Sequence, residues 1–78
     1  MEKLNYKKGE IIMLSKYPFE FCRLILDKEV YSDVICKNIA TQLEDDEVRS
    51  DLEFLIKHGY EFSLAVDTLV EDGHLRYL

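Results

Sequence analysis

Apolar side chains recur at three- and four-residue steps through most of this chain, the spacing of amphipathic helices rather than of strands. Over 32–43 the stripe is Ile35, Cys36, Ile39, Ala40 and Leu43, with Ser32 ahead of it as an N-cap. Over 46–58 Val48, Leu52, Leu55 and Ile56 form the next stripe, and over 61–72 Phe62, Ala65, Val66, Leu69 and Val70 form another. Upstream, Pro18 suits the first turn of a helix and pushes Tyr17 out of helical backbone. A helix is therefore expected over 18–29, with Phe21, Cys22, Leu24, Ile25 and Leu26 as a broad apolar face.

The punctuation between stripes agrees with this division. Glu44, Asp45, Asp46 and Glu47 would sit badly at a helix C-terminus and well at an N-terminus, so one helix stops near Leu43 and the next begins at Asp45 or Asp46. Lys57, His58 and Gly59 supply cations and a glycine at a helix end, and Gly73 closes the last helix in the same way. Gly9 to Leu14 reads equally as a strand or a buried helix, and His74 to Leu78 as a tail or a short strand that could pair with it. The pattern predicts an all-α bundle of about four helices, one domain over 1–78 with a Lys-rich lead-in at 1–16.

Length and charge narrow the function. A chain of 78 residues is one small domain, able to cover only about 60 to 65 % of its unfolded surface and short of a roomy catalytic cleft. Ten Lys and Arg against sixteen Asp and Glu leave a net charge of −6, which argues against neutralising nucleic-acid phosphates and favours basic partners. The imbalance is local: residues 1–16 carry a net +2 and residues 17–78 a net −8. The longest apolar run, Ile11 to Leu14, is far below the roughly 20 residues that span a bilayer, so a cytoplasmic chain with no membrane partner is expected. Cys22 and Cys36 read as reduced thiols on packed faces.

Candidate chemistry is sparse. Cys22, Cys36, His58 and His74 lack the two-to-five-residue separations from which zinc sites are built, and no glycine-rich loop cradles a phosphate. No cysteine–histidine pair has an orienting third group, so no enzyme, metal or cofactor is expected. Residues 46–72 have the outline of a helix-turn-helix with a wing at 72–77. The helix that would enter the groove carries Glu61, Asp67, Glu71 and Asp72 and neither Lys nor Arg, so phosphates would repel it.

The informative residues are apolar ones on the polar side. With Leu52 as origin and 100° per residue, Phe54 falls about 200° away, beside Glu47, Asp51 and His58. On the next helix Leu64 lies off the stripe, grouped with Glu61, Thr68 and Glu71, with Asp67 on the flank. Either another helix covers Phe54, or an apolar anchor stands in a ring of carboxylates, the arrangement of a hot spot for a basic protein partner. In that second reading Glu47, Asp51, Glu61, Asp67 and Glu71 steer and pair while Phe54 and Leu64 anchor. Asp33 with Lys37 and Glu53 with Lys57 have the i, i+4 order of helix surface pairs.

The run from Leu55 to Leu69 resembles a hairpin of small bacterial immunity proteins of polymorphic toxin systems, of the Maf-type group. An apolar helix ends in His58-Gly59, and after Tyr60 come an acid, an aromatic, a small residue and Leu-Ala-apolar-acid, matched by Glu61, Phe62, Ser63, Leu64, Ala65, Val66 and Asp67. The resemblance implies a small helical protein that binds and neutralises a cognate toxin; the acidic face on the third and fourth predicted helices would suit the basic surface of a nuclease. A helix-turn-helix regulator and a structural subunit of a larger assembly are the alternatives.

Overall fold

The computed structural model describes residues 8–77 and contains five helices: α1 (Lys8–Lys16), α2 (Pro18–Ile25), α3 (Asp33–Gln42), α4 (Asp46–Lys57) and α5 (Phe62–Glu71). It is the expected all-α bundle with one helix more. The ambiguous stretch 10–14 is helical, and residues 74–77 follow an irregular path, so neither strand forms among the described residues. Burial explains the extra helix. Leu14 is completely enclosed and Ile11 and Met13 pack on the core while Ile12 is exposed, so this stretch is a helix packed on the core by part of its circumference.

Each boundary has a local cause. Tyr17 leaves helical backbone at φ −134°, as Pro18 requires, yet the Tyr17 N–H still donates to the Met13 carbonyl, so α1 and α2 join at a bend. Helix α2 ends at Ile25 rather than near 29. The Asp27 carboxylate accepts from the Glu29 N–H at 2.8 Å and the Asp27 carbonyl accepts from Val30 and Tyr31, a turn that competes with helix continuation. Within α2 Leu24 is 74 % exposed and Ile25 is exposed too, while Phe21, Cys22 and the C-cap Leu26 turn inward. Ser32 caps α3 through the Ile35 N–H, and Asp45 caps α4 through the Glu47 N–H at 2.8 Å.

Both glycine stops take the same form. Gly59 and Gly73 have φ of 99° and 82°. The N–H groups of Gly59 and Tyr60 donate to the carbonyls of Ile56 and Leu55, and those of Gly73 and His74 to Val70 and Leu69. These paired bonds are Schellman motifs, which satisfy the last carbonyls and need left-handed backbone.

Helix α2 packs between α1 and α3, and α4 packs on α5 as a hairpin. The edge-to-face pair Phe21–Phe62, ring centroids 5.0 Å apart, joins the two groups. Leu14, Ile39, Leu43, Leu52, Val66 and Leu75 are almost wholly enclosed, and no charged side chain is buried among the described residues. Leu75 belongs to the tail, which Gln42 ties down: its Nε2 donates to the Arg76 carbonyl and its Oε1 accepts from the Arg76 N–H at 2.8 Å. Asn38 Nδ2 adds a bond to the Tyr77 carbonyl. Two polar side chains of α3 thus supply the tail with the pairing that a strand would have given it.

Two surface pairs differ from the sequence spacing. Asp33 meets Arg23 at 2.9 Å instead of Lys37, because Arg23 is drawn against α3 by the Tyr31 carbonyl and the Cys36 Sγ. Glu53 faces Arg49 at 3.9 Å rather than Lys57. Cys22 and Cys36 are both free and fully buried.

Leu52→Ala is expected to cost about 2–5 kcal/mol, a large share of the ~5–15 kcal/mol available to a domain; a loss below about 1 kcal/mol in urea titration would mean that Leu52 is not the core residue described. Burial, assisted by Cys36 and opposed by Arg23, pushes the Cys22 thiol up from 9.0 to about 12. With the folded value above the unfolded one, this contribution is intact below pH about 9 and declines as pH rises toward the folded value, by at most ~1.4 kcal/mol per unit. The urea midpoint should fall between about pH 9 and 11, less steeply in Cys22→Ala; identical slopes would contradict the assignment.

Candidate functional site

The rotation of α4 decides which of its side chains meet solvent. Leu52 and Ile56 are buried and Val48 and Leu55 half-buried, so the opposite side of the helix carries Glu47, Asp51, Phe54 and His58, all exposed. Phe54 has 59 % of its surface open to solvent. No neighbouring helix covers it. The His58 ring lies against it with centroids 4.1 Å apart, and the His58 Nδ1–H donates to the Phe54 carbonyl at 2.8 Å. Since that carbonyl can only accept, the neutral ring carries its proton on Nδ1 and leaves Nε2 toward solvent.

A shallow groove of about 200 Å³ runs between α4 and α5, with Asp51, Phe54, Thr68, Asp72 and His74 along it and Leu55 and Leu69 beneath. The structure thus brings Asp51 and Phe54 together and adds Asp72 and His74, which the helical wheel of α4 alone does not indicate. On α5, Leu64 is 54 % exposed and Glu71 is exposed beside it; the two fall within about 20° of one another at 100° per residue. Glu61 is exposed at the N-cap of α5 and lines a separate cleft with Glu10, Ile25 and Tyr60.

Asp67 departs from this group. It is half-buried on the flank of α5, where its Oδ1 accepts from the Tyr31 hydroxyl at 3.0 Å and also from the Tyr77 hydroxyl. It therefore joins α5 to the α2–α3 turn and to the tail rather than standing on the outer face with Leu64 and Glu71. Tyr31 and Tyr77 carry no periodic signal that would have pointed to this cluster. The one legible hint is the position of Asp67, about 60° past Val70 at the edge of the buried stripe.

Among the described residues no three His, Cys, Asp or Glu side chains converge on a metal-sized site, and no helix is long and apolar enough to cross a membrane. Fold and site together define a small all-α bundle that exposes an aromatic side chain, Phe54, among carboxylates. Comparison with family models, characterised proteins and solved structures finds no match to the chain.

Because Phe54 rests mainly on His58 and solvent, Phe54→Ala should change the unfolding free energy by less than about 1 kcal/mol, within the range of surface substitutions. A loss of 2 kcal/mol or more, about that of a core truncation, would show that Phe54 serves the fold.

Proposed function

We propose that this chain is a non-enzymatic bacterial immunity protein that acts in the cytoplasm, binding a cognate toxin and neutralising it by covering a basic surface, as on a nuclease domain. The observation that carries the reading is Phe54, 59 % exposed on α4 with Glu47 and Asp51 on the same side of the helix. An exposed aromatic supplies the desolvated anchor of an interface, and the carboxylates around it steer a cationic partner toward that anchor. Leu64 extends the apolar part along α5, and Glu61 and Glu71 extend the acidic part at its two ends.

The resemblance of residues 55–69 to Maf-type immunity proteins supports the same reading from the sequence side. A small domain suits the task, since occluding a site needs surface and charge rather than a pocket. The groove beside Phe54 measures only about 200 Å³, below the roughly 300–1,000 Å³ of clefts that enclose a small-molecule substrate. A helix-turn-helix regulator gains nothing from α5, whose only charged residues are Asp67 and Glu71.

The test is association with the proposed toxin, to be sought in the neighbouring reading frame. The double reversal Asp51→Lys, Glu61→Lys is expected to slow association about tenfold or more at low salt, the difference shrinking as salt is added. An association rate and salt dependence equal to those of the unaltered chain would rule out this face.

A further inference from the structure

Tyr31, Asp67 and Tyr77 come from the α2–α3 turn, α5 and the tail, and meet on a cavity of about 250 Å³ that Val30 and Ile35 also line. The two tyrosine rings stand edge to face, centroids 5.8 Å apart at 68°. Both hydroxyls donate to one carboxylate oxygen, Asp67 Oδ1. The second oxygen, Oδ2, has no hydrogen-bond partner among the described residues and is not among the enclosed unpartnered atoms.

Burial raises the titration of both hydroxyls, and the Asp67 carboxylate raises it further. The tyrosines therefore stay protonated at neutral pH and act as donors to the Asp67 side chain. A carboxylate with a spare acceptor, two tyrosine rings and two aliphatic side chains around one small space is suited to a cation with an apolar stem. The volume is below that of clefts for whole small molecules, about 300 Å³ upward, and fits a single side chain.

We propose that this cavity is a socket for one basic side chain of a protein partner, its cationic head on Asp67 Oδ2 and its methylenes against Val30, Ile35 and the tyrosine rings. The proposal rests on the reading that the partner is a basic protein. It assigns a second point of attachment, apart from the face around Phe54. The tyrosine bonds hold the carboxylate in position before the partner arrives, so little side-chain freedom remains to be lost on binding.

The test needs no toxin. The isotope-labelled chain is titrated with n-butylammonium, n-butylguanidinium and the neutral n-butanol, following the amide shifts of Tyr31, Ile35, Asp67 and Tyr77. The two cations are expected to give saturable shifts centred on these residues and the alcohol far smaller ones. In Asp67→Asn, which keeps an acceptor for both tyrosine hydroxyls, cation affinity should fall about tenfold or more, as for loss of a hydrogen bond to a charged group. Equal shifts from the alcohol, saturation centred elsewhere or no saturation by either cation would overturn the socket, and these comparisons hold on the unaltered chain even if the variant folds poorly. Undiminished cation binding by a folded Asp67→Asn would overturn it too. Failure here leaves the Phe54 face unaffected, and failure of the Asp51 and Glu61 reversal leaves the socket standing.

Discussion

The burial of Leu52 and Ile56 sets the rotation of α4, and the proposed binding face follows from that rotation. Once these side chains enter the core, 100° per residue carries Phe54 to the far side of the helix with Glu47, Asp51 and His58. The ends of the helix hold the same phase. Asp45 caps the first turn, the Arg49 Nη1 donates to the Leu43 carbonyl at the α3–α4 junction, and Gly59 closes the last turn in left-handed backbone. Turning α4 to hide Phe54 would expose Leu52 and break these three attachments together.

A second constraint is size. So short a chain cannot spend interior volume on charge, and no charged side chain is buried among the described residues. Carboxylates that exceed the local cations are left on the helix exteriors. The tail compensates for the small core in another way, with Leu75 as a plug and the Gln42 and Asn38 amides holding the backbone of Arg76 and Tyr77 just after it. Asp67 adds the tyrosine cluster on the far flank. Helix α5 is thereby fixed from two directions, by the α4 hairpin and by the tail, so Leu64 and Glu71 are presented from a braced element.

Features that depend on short-range rules were legible in the sequence. The Ser32 and Asp45 caps, the two glycine stops and the α3, α4 and α5 stripes each follow from residues within one or two turns. The outward position of Phe54 and Leu64 came from the same periodicity. What periodicity does not carry is competition and long-range pairing. Leu24 and Ile25 match an apolar helix face, yet no described element packs over them, and the Asp27 turn ends α2 just beyond. Residues 11–14 are four apolar positions whose helical state depends on contacts with distant parts of the chain. The union of Asp67 with Tyr31 and Tyr77 spans separations of thirty-six and ten residues, beyond any local pattern.

The central claim is that the partner meets the outer side of α4 and α5 around Phe54 and Leu64. Cross-saturation mapping of the labelled chain in complex with the proposed toxin partner tests it most directly. The account predicts attenuation of amides at Asp51, Phe54, Leu64 and Glu71, with the exposed sides of α1 and α2 unaffected. Attenuation confined to α1 to α3, with Phe54 and Leu64 unchanged, would contradict it.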